Sequence, residues 1–166
     1  MENKALFLDR DGVINEDTGY VFQREHFHFM DGIFNVCRTA REKGYIIIVA
    51  TNQSGIERGY YTEEDFQSLT KWMLMRFEDA GITITDVFHC PSLLGYDRKP
   101  NPGMFLTAKG KHRINMHASV SLGDKERDVQ AGRNAGVGVN VLLATGKQET
   151  MADRVIGTLK DMEGVL

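Results

Sequence analysis

The segment Leu6-Phe7-Leu8-Asp9-Arg10-Asp11-Gly12-Val13 decides how the chain folds and what it does. It begins within the apolar run of residues 5–8, which is typical of a short buried β-strand. Two carboxylates, Asp9 and Asp11, follow at the end of that run and are separated by one residue. Carboxylates in a partly buried position repel each other, so the pair requires a cation beside it. A hard divalent ion completed by a phosphate meets that requirement, and a solvated polar turn is the alternative.

The composition is that of an ordinary globular protein. The 166 residues suffice to bury a core and predict one domain, residues 1–166. A net charge of −3 argues against nucleic acids and anionic membranes as partners, because both select a basic surface. No apolar stretch approaches the roughly 20 residues of a membrane span. The first residues lack a signal-peptide pattern and only two cysteines occur, so we expect a cytoplasmic protein.

Short apolar runs alternate with helical patterns along the chain. Strands are predicted at residues 5–8, 45–50, 86–90, 119–122 and 139–144. Helices are predicted at residues 31–43, with Asp31 as N-cap, and at 62–81, 102–113, 125–135 and 151–162. This alternation predicts an α/β fold, a single doubly wound and mainly parallel sheet with helices on both faces. No insertion is long enough for a large cap domain.

The first four predicted strands each lead to residues that a phosphate site uses. Asp9 and Asp11 follow the first strand. The second leads to Thr51-Asn52-Gln53-Ser54-Gly55, whose flexible turn can direct backbone N–H groups at an anion. The third leads to Arg98-Lys99-Pro100 and the fourth to Gly123-Asp124-Lys125. Ligands of such sheets bind at the carboxyl ends of the strands, so these groups are expected at one site.

The order acid, hydroxyl, cation, acid matches the four motifs of the haloacid dehalogenase (HAD) superfamily. The matching strings are Phe-Leu-Asp-Arg-Asp-Gly-Val-Ile-Asn, Thr-Asn-Gln-Ser-Gly-Ile, Arg-Lys-Pro-x-Pro-Gly-Met and Gly-Asp-Lys-x-x-Asp. They resemble the branch that holds the D-glycero-D-manno-heptose 1,7-bisphosphate phosphatases and the histidinol-phosphate phosphatases. The resemblance covers about residues 4–150. The loop string Asp17-Thr18-Gly19-Tyr20-Val21 is particularly similar to the heptose enzymes.

This resemblance implies a Mg²⁺-dependent phosphomonoester hydrolase that works through an aspartyl-phosphate. Asp9 would be the nucleophile and Asp11 the general acid and base. Mg²⁺ would be held by Asp9, Asp124 and the backbone carbonyl of Asp11. Thr51 and Lys99 would hold the phosphoryl oxygens. Contacts to the rest of the substrate are expected from a larger set, namely Asp17, Thr18, Gly19, Tyr20, Asn52, Gln53, Ser54, Arg98 and Lys125.

Asp128, in the last motif, is expected beside the metal site or Lys125 rather than on the ion itself.

The chain departs from these relatives between the third strand and the Arg-Lys-Pro motif. The relatives carry a zinc loop there, built from a Cys-x-His and a later Cys-x-Cys. Here the segment reads Cys90-Pro91-Ser92-Leu93-Leu94-Gly95-Tyr96-Asp97-Arg98, with a single thiol. His89 is expected to point to the opposite face of the strand from Cys90. One thiolate cannot form a tetrahedral zinc site, so we expect no zinc and a loop held by packing of Leu93, Leu94 and Tyr96.

The favoured substrate is D-glycero-D-manno-heptose 1,7-bisphosphate. Histidinol phosphate or another small phosphorylated metabolite is the alternative substrate. A non-catalytic phosphometabolite-binding protein is the alternative of another class; loss of Asp9 or Asp11 would indicate it, and both are present. The chain is expected to act as a monomer on a small phosphorylated metabolite, without nucleic-acid or membrane partners. Its site should be open and bordered by loops around residues 15–30 and 91–97.

Overall fold

The computed structural model describes all 166 residues and contains one six-stranded sheet. Its strands are β1 (Lys4–Leu8), β2 (Tyr45–Asn52), β3 (Asp86–Cys90), β4 (Val120–Gly123), β5 (Val139–Leu143) and β6 (Arg154–Ile156). Every neighbouring pair is parallel, and the spatial order is β3-β2-β1-β4-β5-β6. The chain therefore builds outward from β1 to β3 and then returns to β4 on the other side. The predicted doubly wound sheet is confirmed, with its switch point between β1 and β4.

Helices cover both faces of the sheet. The α-helices are α1 (Ile33–Glu42), α2 (Glu63–Asp79), α3 (Gly103–His112) and α4 (Glu126–Asn134), and Arg24–His26 and Leu159–Gly164 form 3₁₀-helices. Leu6 and Leu8 of β1 belong to the apolar cluster that contains residues of α1 and α2, whereas Ala5 and Phe7 belong to the cluster on the side of α3 and α4. Alternate residues of β1 are thus buried on opposite faces, as a central parallel strand requires.

The predicted helix at residues 151–162 is wrong. The chain there forms β6, which pairs with β5, and then the 3₁₀-helix Leu159–Gly164. Val155 and Ile156 are β-branched, and the open edge of β5 offers them backbone partners. Pairing at the sheet edge therefore outweighs the helical spacing of the apolar residues.

The start of the first helix also differs from the prediction. Helix α1 begins at Ile33, and its N-cap is Gly32 at a φ of 89°, with no side chain capping the helix. Glycine adopts this left-handed conformation readily, so the chain turns one residue later than Asp31 would place it.

Two long connections, residues 9–32 and 91–102, lie at the carboxyl end of the sheet, and no large cap domain covers them. None of the helices combines the length and the apolar character needed to cross a bilayer.

Candidate active site

Residues at or after the ends of β1, β2, β3 and β4 converge on one pocket of about 280 Å³. It is lined by Asp9, Asp11, Asp17, Gly19, Tyr20, Asn52, Gln53, Ser54, Arg58, Tyr61, Arg98, Lys99, Asp124, Lys125 and Arg127. The pocket thus brings together members of all four predicted groups. Thr51 is fully buried and Thr18 is exposed, and neither is among the lining residues.

Lys99 is a buried cation at the base of this pocket. Its side chain is 2% exposed, and Nζ lies 3.0 Å from Asp9 Oδ1 and 2.7 Å from Asp128 Oδ1. Nζ also donates a hydrogen bond of 2.7 Å to the carbonyl oxygen of Ala50. Burial alone would lower the pKa of Lys99, but the charges of Asp128 and Asp9 outweigh that effect and raise it. The ammonium therefore stays protonated beside Asp9.

Asp9 lies in an environment with an excess of negative charge. Burial raises the pKa of Asp9 well above its ordinary value, and Asp128, Asp124 and Asp11 raise it further. Lys99 opposes these effects without cancelling them. A second cation beside these carboxylates would favour their ionised forms.

The geometry of the carboxylates fits a divalent metal ion. Asp9, Asp124 and Asp128 each offer an oxygen, and these oxygens lie within 4.8 Å of one another. Asp124 Oδ1 is buried and has no hydrogen-bond partner within the chain. A Cβ atom at Gly12 would lie 2.1 Å from Asp124 Oδ2, so only glycine leaves this carboxylate its place. Hard cations such as Mg²⁺ select oxygen ligands of this kind.

Asp128 is already engaged by protein groups. Oδ1 lies 2.7 Å from Lys99 Nζ, and Oδ2 accepts a hydrogen bond of 3.0 Å from the backbone nitrogen of Lys125. Its hydrogen-bonding contacts are thus with Lys99 and the backbone of Lys125. Asp9 and Asp124 remain as the side-chain ligands that a metal ion would use.

Four donated hydrogen bonds hold the carboxylate of Asp11. Arg10 Nε and Nη2 lie 3.2 and 2.9 Å from Oδ1, and Asn15 Nδ2 lies 2.9 Å from the same oxygen. Gln53 Nε2 lies 3.2 Å from Oδ2. The sequence predicts no role for Arg10 or Asn15. For Arg10 there is a usable signal, because the first motif places this cation between two acids.

Residues at the end of β2 and just after it form hydrogen bonds that hold the site in place. Thr51 Oγ1 accepts a hydrogen bond of 2.9 Å from Gln53 Nε2, and the hydroxyl of Tyr61 donates to Gln53 Oε1. Burial raises the pKa of Tyr61 to about 12, so its hydroxyl stays a neutral donor. The amide of Asn52 exchanges two hydrogen bonds with the backbone of Lys99, at 3.1 and 3.0 Å. Asn52 and Gln53 line the pocket, but these side-chain atoms are engaged by Lys99, Asp11, Thr51 and Tyr61.

Further cations line the pocket beyond Lys99. Arg98 Nη1 donates to the carbonyl oxygen of Ser92 at 3.2 Å, and Lys125 Nζ lies 3.9 Å from Asp124 Oδ2. Arg58 and Arg127 are exposed and have no predicted role. The pocket therefore carries negative charge around Asp9 and Asp124 and positive charge on four further side chains. We call these the rim cations: Arg58, Arg98, Lys125 and Arg127.

His89 and Cys90 lie on opposite faces of β3, as expected. His89 stacks on Phe66 with ring centroids 4.1 Å apart, and its Nε2 lies 2.7 Å from Glu63 on α2. Cys90 is buried in the apolar cluster on the side of α3 and α4. The two side chains cannot ligate one ion.

The expectation that Leu93, Leu94 and Tyr96 pack to hold the loop at residues 91–97 is wrong for Leu94 and Tyr96. Leu94 is 84% exposed and Tyr96 is 62% exposed. The backbone N–H of Leu93 instead donates to the carboxylate of Glu57. Because the loop lies on the surface and has little core to pack against, polar contacts hold it.

Comparison with known proteins assigns the chain to a family. A family model described as HAD-hydrolase-like matches residues 96–160. The D-glycero-alpha-D-manno-heptose-1,7-bisphosphate 7-phosphatase of Campylobacter jejuni is 47% identical over 98% of this chain and 95% of its own. The chain belongs to the heptose-bisphosphate phosphatase family of HAD-like hydrolases. The equally named protein of Burkholderia mallei is 45% identical over 98% of this chain and 93% of its own. Heptose-bisphosphate phosphatases named for the beta anomer are 40–42% identical.

A solved structure of the same family shares the fold. The D,D-heptose 1,7-bisphosphate phosphatase from B. bronchiseptica, complexed with magnesium and phosphate, gives a TM-score of 0.87 at 24% identity. The match covers 98% of this chain and 99% of that one. The heptose-bisphosphate phosphatase fold thus extends over the whole sheet described above.

Proposed function

We propose that this phosphatase removes the 7-phosphate of D-glycero-D-manno-heptose 1,7-bisphosphate, with residues 1–166 acting as one catalytic domain and Mg²⁺ as cofactor. The observation that carries the proposal is the pocket itself. It pairs Asp9, whose side chain is 10% exposed, with the buried Lys99 and with Asp124, and it adds the rim cations. The relatives named above supply the substrate class.

Phosphoryl transfer uses the two aspartates after β1 in sequence. An oxygen of Asp9 attacks phosphorus, and the bond between phosphorus and the sugar oxygen breaks as Asp11 gives that oxygen a proton. A water molecule then loses a proton to Asp11 and attacks the aspartyl-phosphate, which releases phosphate and restores Asp9. Lys99 supplies a fixed positive charge beside the oxygens where negative charge develops.

Mg²⁺ would be held by Asp9, Asp124 and the backbone carbonyl of Asp11. When bound, it supplies the charge that lets a carboxylate approach a phosphate dianion.

The rim cations favour a bisphosphate over the alternatives. One phosphate is bound beside Asp9, Lys99 and Asp124. The rim cations are then available to bind a second phosphate. Histidinol phosphate carries an amine in place of that phosphate, and a cationic amine is repelled by the rim. A non-catalytic binder has no need of the donors that hold Asp11.

A phosphate-release assay over a substrate panel tests the proposal. The panel contains the alpha and beta anomers of heptose 1,7-bisphosphate, heptose 7-phosphate and histidinol phosphate, each with Mg²⁺ or with EDTA. We expect the highest kcat/KM for a bisphosphate, with the alpha anomer ahead, and no turnover in EDTA. A preference for histidinol phosphate, or full activity without a divalent ion, contradicts the proposal.

Arg127→Ala tests the role of the rim. Hydrogen bonds to charged groups contribute about 1.5–3 kcal/mol, and screening at an exposed position favours the lower end. We therefore expect about a tenfold loss of kcat/KM for the bisphosphate and little change for heptose 7-phosphate. Arg154→Ala, on β6 and outside the pocket, is the matched control. Equal losses for both substrates count against the rim.

A further inference from the structure

Arg10 is the largest fully buried side chain of the protein. The residue is 1% exposed, and its guanidinium carbon lies 5.8 Å from the ring centroid of Phe27 and 5.9 Å from that of Phe66. A charge in such surroundings destabilises the fold unless it is paired and hydrogen-bonded. Its partner is Asp11, which the proposed function uses as the proton donor.

The contacts of Arg10 distinguish the two oxygens of Asp11. Oδ1 receives three donated hydrogen bonds, from Arg10 Nε, Arg10 Nη2 and Asn15 Nδ2. Oδ2 receives only one, from Gln53 Nε2 at 3.2 Å. A carboxylate oxygen has about two lone-pair sites, so three donors leave Oδ1 no room for a proton. Oδ2 keeps a free site, and Asp11 lines the pocket.

The same guanidinium also holds the loop that borders the pocket. Arg10 Nη2 donates a hydrogen bond of 2.6 Å to the carbonyl oxygen of Val21. Val21 is buried and directly follows Tyr20, which lines the pocket together with Asp17 and Gly19. The planar guanidinium of Arg10, a rigid fork of N–H donors, therefore fixes the Asp11 carboxylate and the loop at Val21 relative to each other.

We propose that Arg10 is a positioning residue that orients Asp11 so that Oδ2 delivers the proton to the leaving sugar oxygen. The inference rests on the proposed function. In the step concerned, the bond between Asp9 and phosphorus forms and the bond between phosphorus and the sugar oxygen breaks. The proton on Asp11 Oδ2 moves to that oxygen, so an alcohol leaves and Asp11 becomes a carboxylate. Arg10 keeps its own protons throughout.

Substrates with different leaving groups separate positioning from general damage. The leaving alcohol of heptose 1,7-bisphosphate needs protonation, whereas p-nitrophenolate is a good leaving group without it. Because kcat/KM includes only binding and steps through the first phosphoryl transfer, later hydrolysis of the aspartyl-phosphate does not obscure the comparison. A misplaced general acid costs about 10²-fold or more on the sugar phosphate.

Arg10→Met removes the fork and keeps an apolar stem of similar length. We expect kcat/KM to fall about 10²-fold for heptose 1,7-bisphosphate and less than about fivefold for p-nitrophenyl phosphate. In an Asp11→Asn background the same change should add little further loss. Arg10→Lys keeps the buried charge but loses the fork, so its loss should be intermediate and equally selective.

Phe27→Leu is the matched control for structural damage, because it loosens the packing around Arg10 without removing a hydrogen bond of Asp11. Its effect should be the same for both substrates. A parallel loss for both substrates in the Arg10 variants overturns the inference. If Arg10→Met does not fold, Arg10→Lys decides the question by the same ratio. A wild-type protein that hydrolyses neither substrate contradicts the proposed function instead, and the two failures are therefore distinguishable.

Discussion

Gly12→Ala should damage the metal site through contact with a single carboxylate. A Cβ atom at this position would lie 2.1 Å from Asp124 Oδ2 and 2.4 Å from its Cγ. Non-bonded heavy atoms settle about 3.5–4.0 Å apart, so the carboxylate must retreat by more than about 1 Å. Asp124 is one of two side chains that would hold Mg²⁺, and its displacement alters the ligand geometry directly.

Two effects of different size follow from this geometry. Gly12 has a φ of 89°, and a residue with a side chain pays about 1–2 kcal/mol in that region. That cost corresponds to a Tm lower by about 2–8 °C in a protein of this size. Displacing the ligand should weaken Mg²⁺ binding about 10- to 100-fold, the range seen when the support of a metal ligand is removed.

Gly81→Ala separates the two effects. Gly81 has a φ of 76°, follows α2, and would place its Cβ in open space. This control should lose a similar amount of Tm and keep the wild-type dependence on Mg²⁺. The assay is phosphate release titrated with Mg²⁺, alongside thermal unfolding of both variants. If Gly12→Ala requires no more Mg²⁺ than Gly81→Ala, Asp124 does not bind the metal as described.

Three further predictions follow from individual residues. Asp11→Asn keeps the backbone carbonyl that would bind Mg²⁺, so turnover of an alkyl phosphate should fall about 10²-fold or more while the Mg²⁺ midpoint stays near that of the wild type. Cys90→Ala should leave activity near wild type, and elemental analysis should find no bound zinc, because one thiolate cannot complete a zinc site; zinc lost together with activity contradicts this. Burial by itself would raise the pKa of Asp86, but hydrogen bonds from Lys111 and His112 outweigh it and leave the pKa below 3.8. A carboxyl whose pKa is lowered by folding stabilises the folded state at every pH above its ordinary pKa. Asp86→Asn should therefore lower Tm at pH 7. This difference should shrink as the pH falls through 3.8 and below, and a constant difference refutes the assignment.

The sheet could be predicted from the sequence because its signals are local. β1 to β5 are apolar runs bounded by polar or glycine-rich segments, and each lies within two residues of its predicted bounds. β6 has no such run. It is a three-residue edge strand that forms because it pairs with β5. The apolar residues of this segment have helical spacing, so the sequence pattern predicts a helix there instead.

The meeting of the acids and the lysine in one site could also be predicted, because parallel strands place their carboxyl ends at the same edge of the sheet. Asp9, Lys99 and Asp124 meet for that reason. Arg10 could not be assigned from spacing, since the direction of its side chain depends on the packing of Phe27 and Phe66. Arg58 and Tyr61 of the pocket come from the loop between β2 and α2, outside the motifs, and Arg127 occupies a variable position within the last motif.

Time-resolved ³¹P NMR of heptose 1,7-bisphosphate tests the central claim most directly. In the presence of Mg²⁺ the wild-type protein should convert the 7-phosphate signal to inorganic phosphate and leave the 1-phosphate intact. Asp9→Asn should fold and leave both signals unchanged, because an amide neither attacks phosphorus nor ligates Mg²⁺ well. Release of the 1-phosphate, or full turnover by Asp9→Asn, would contradict the account.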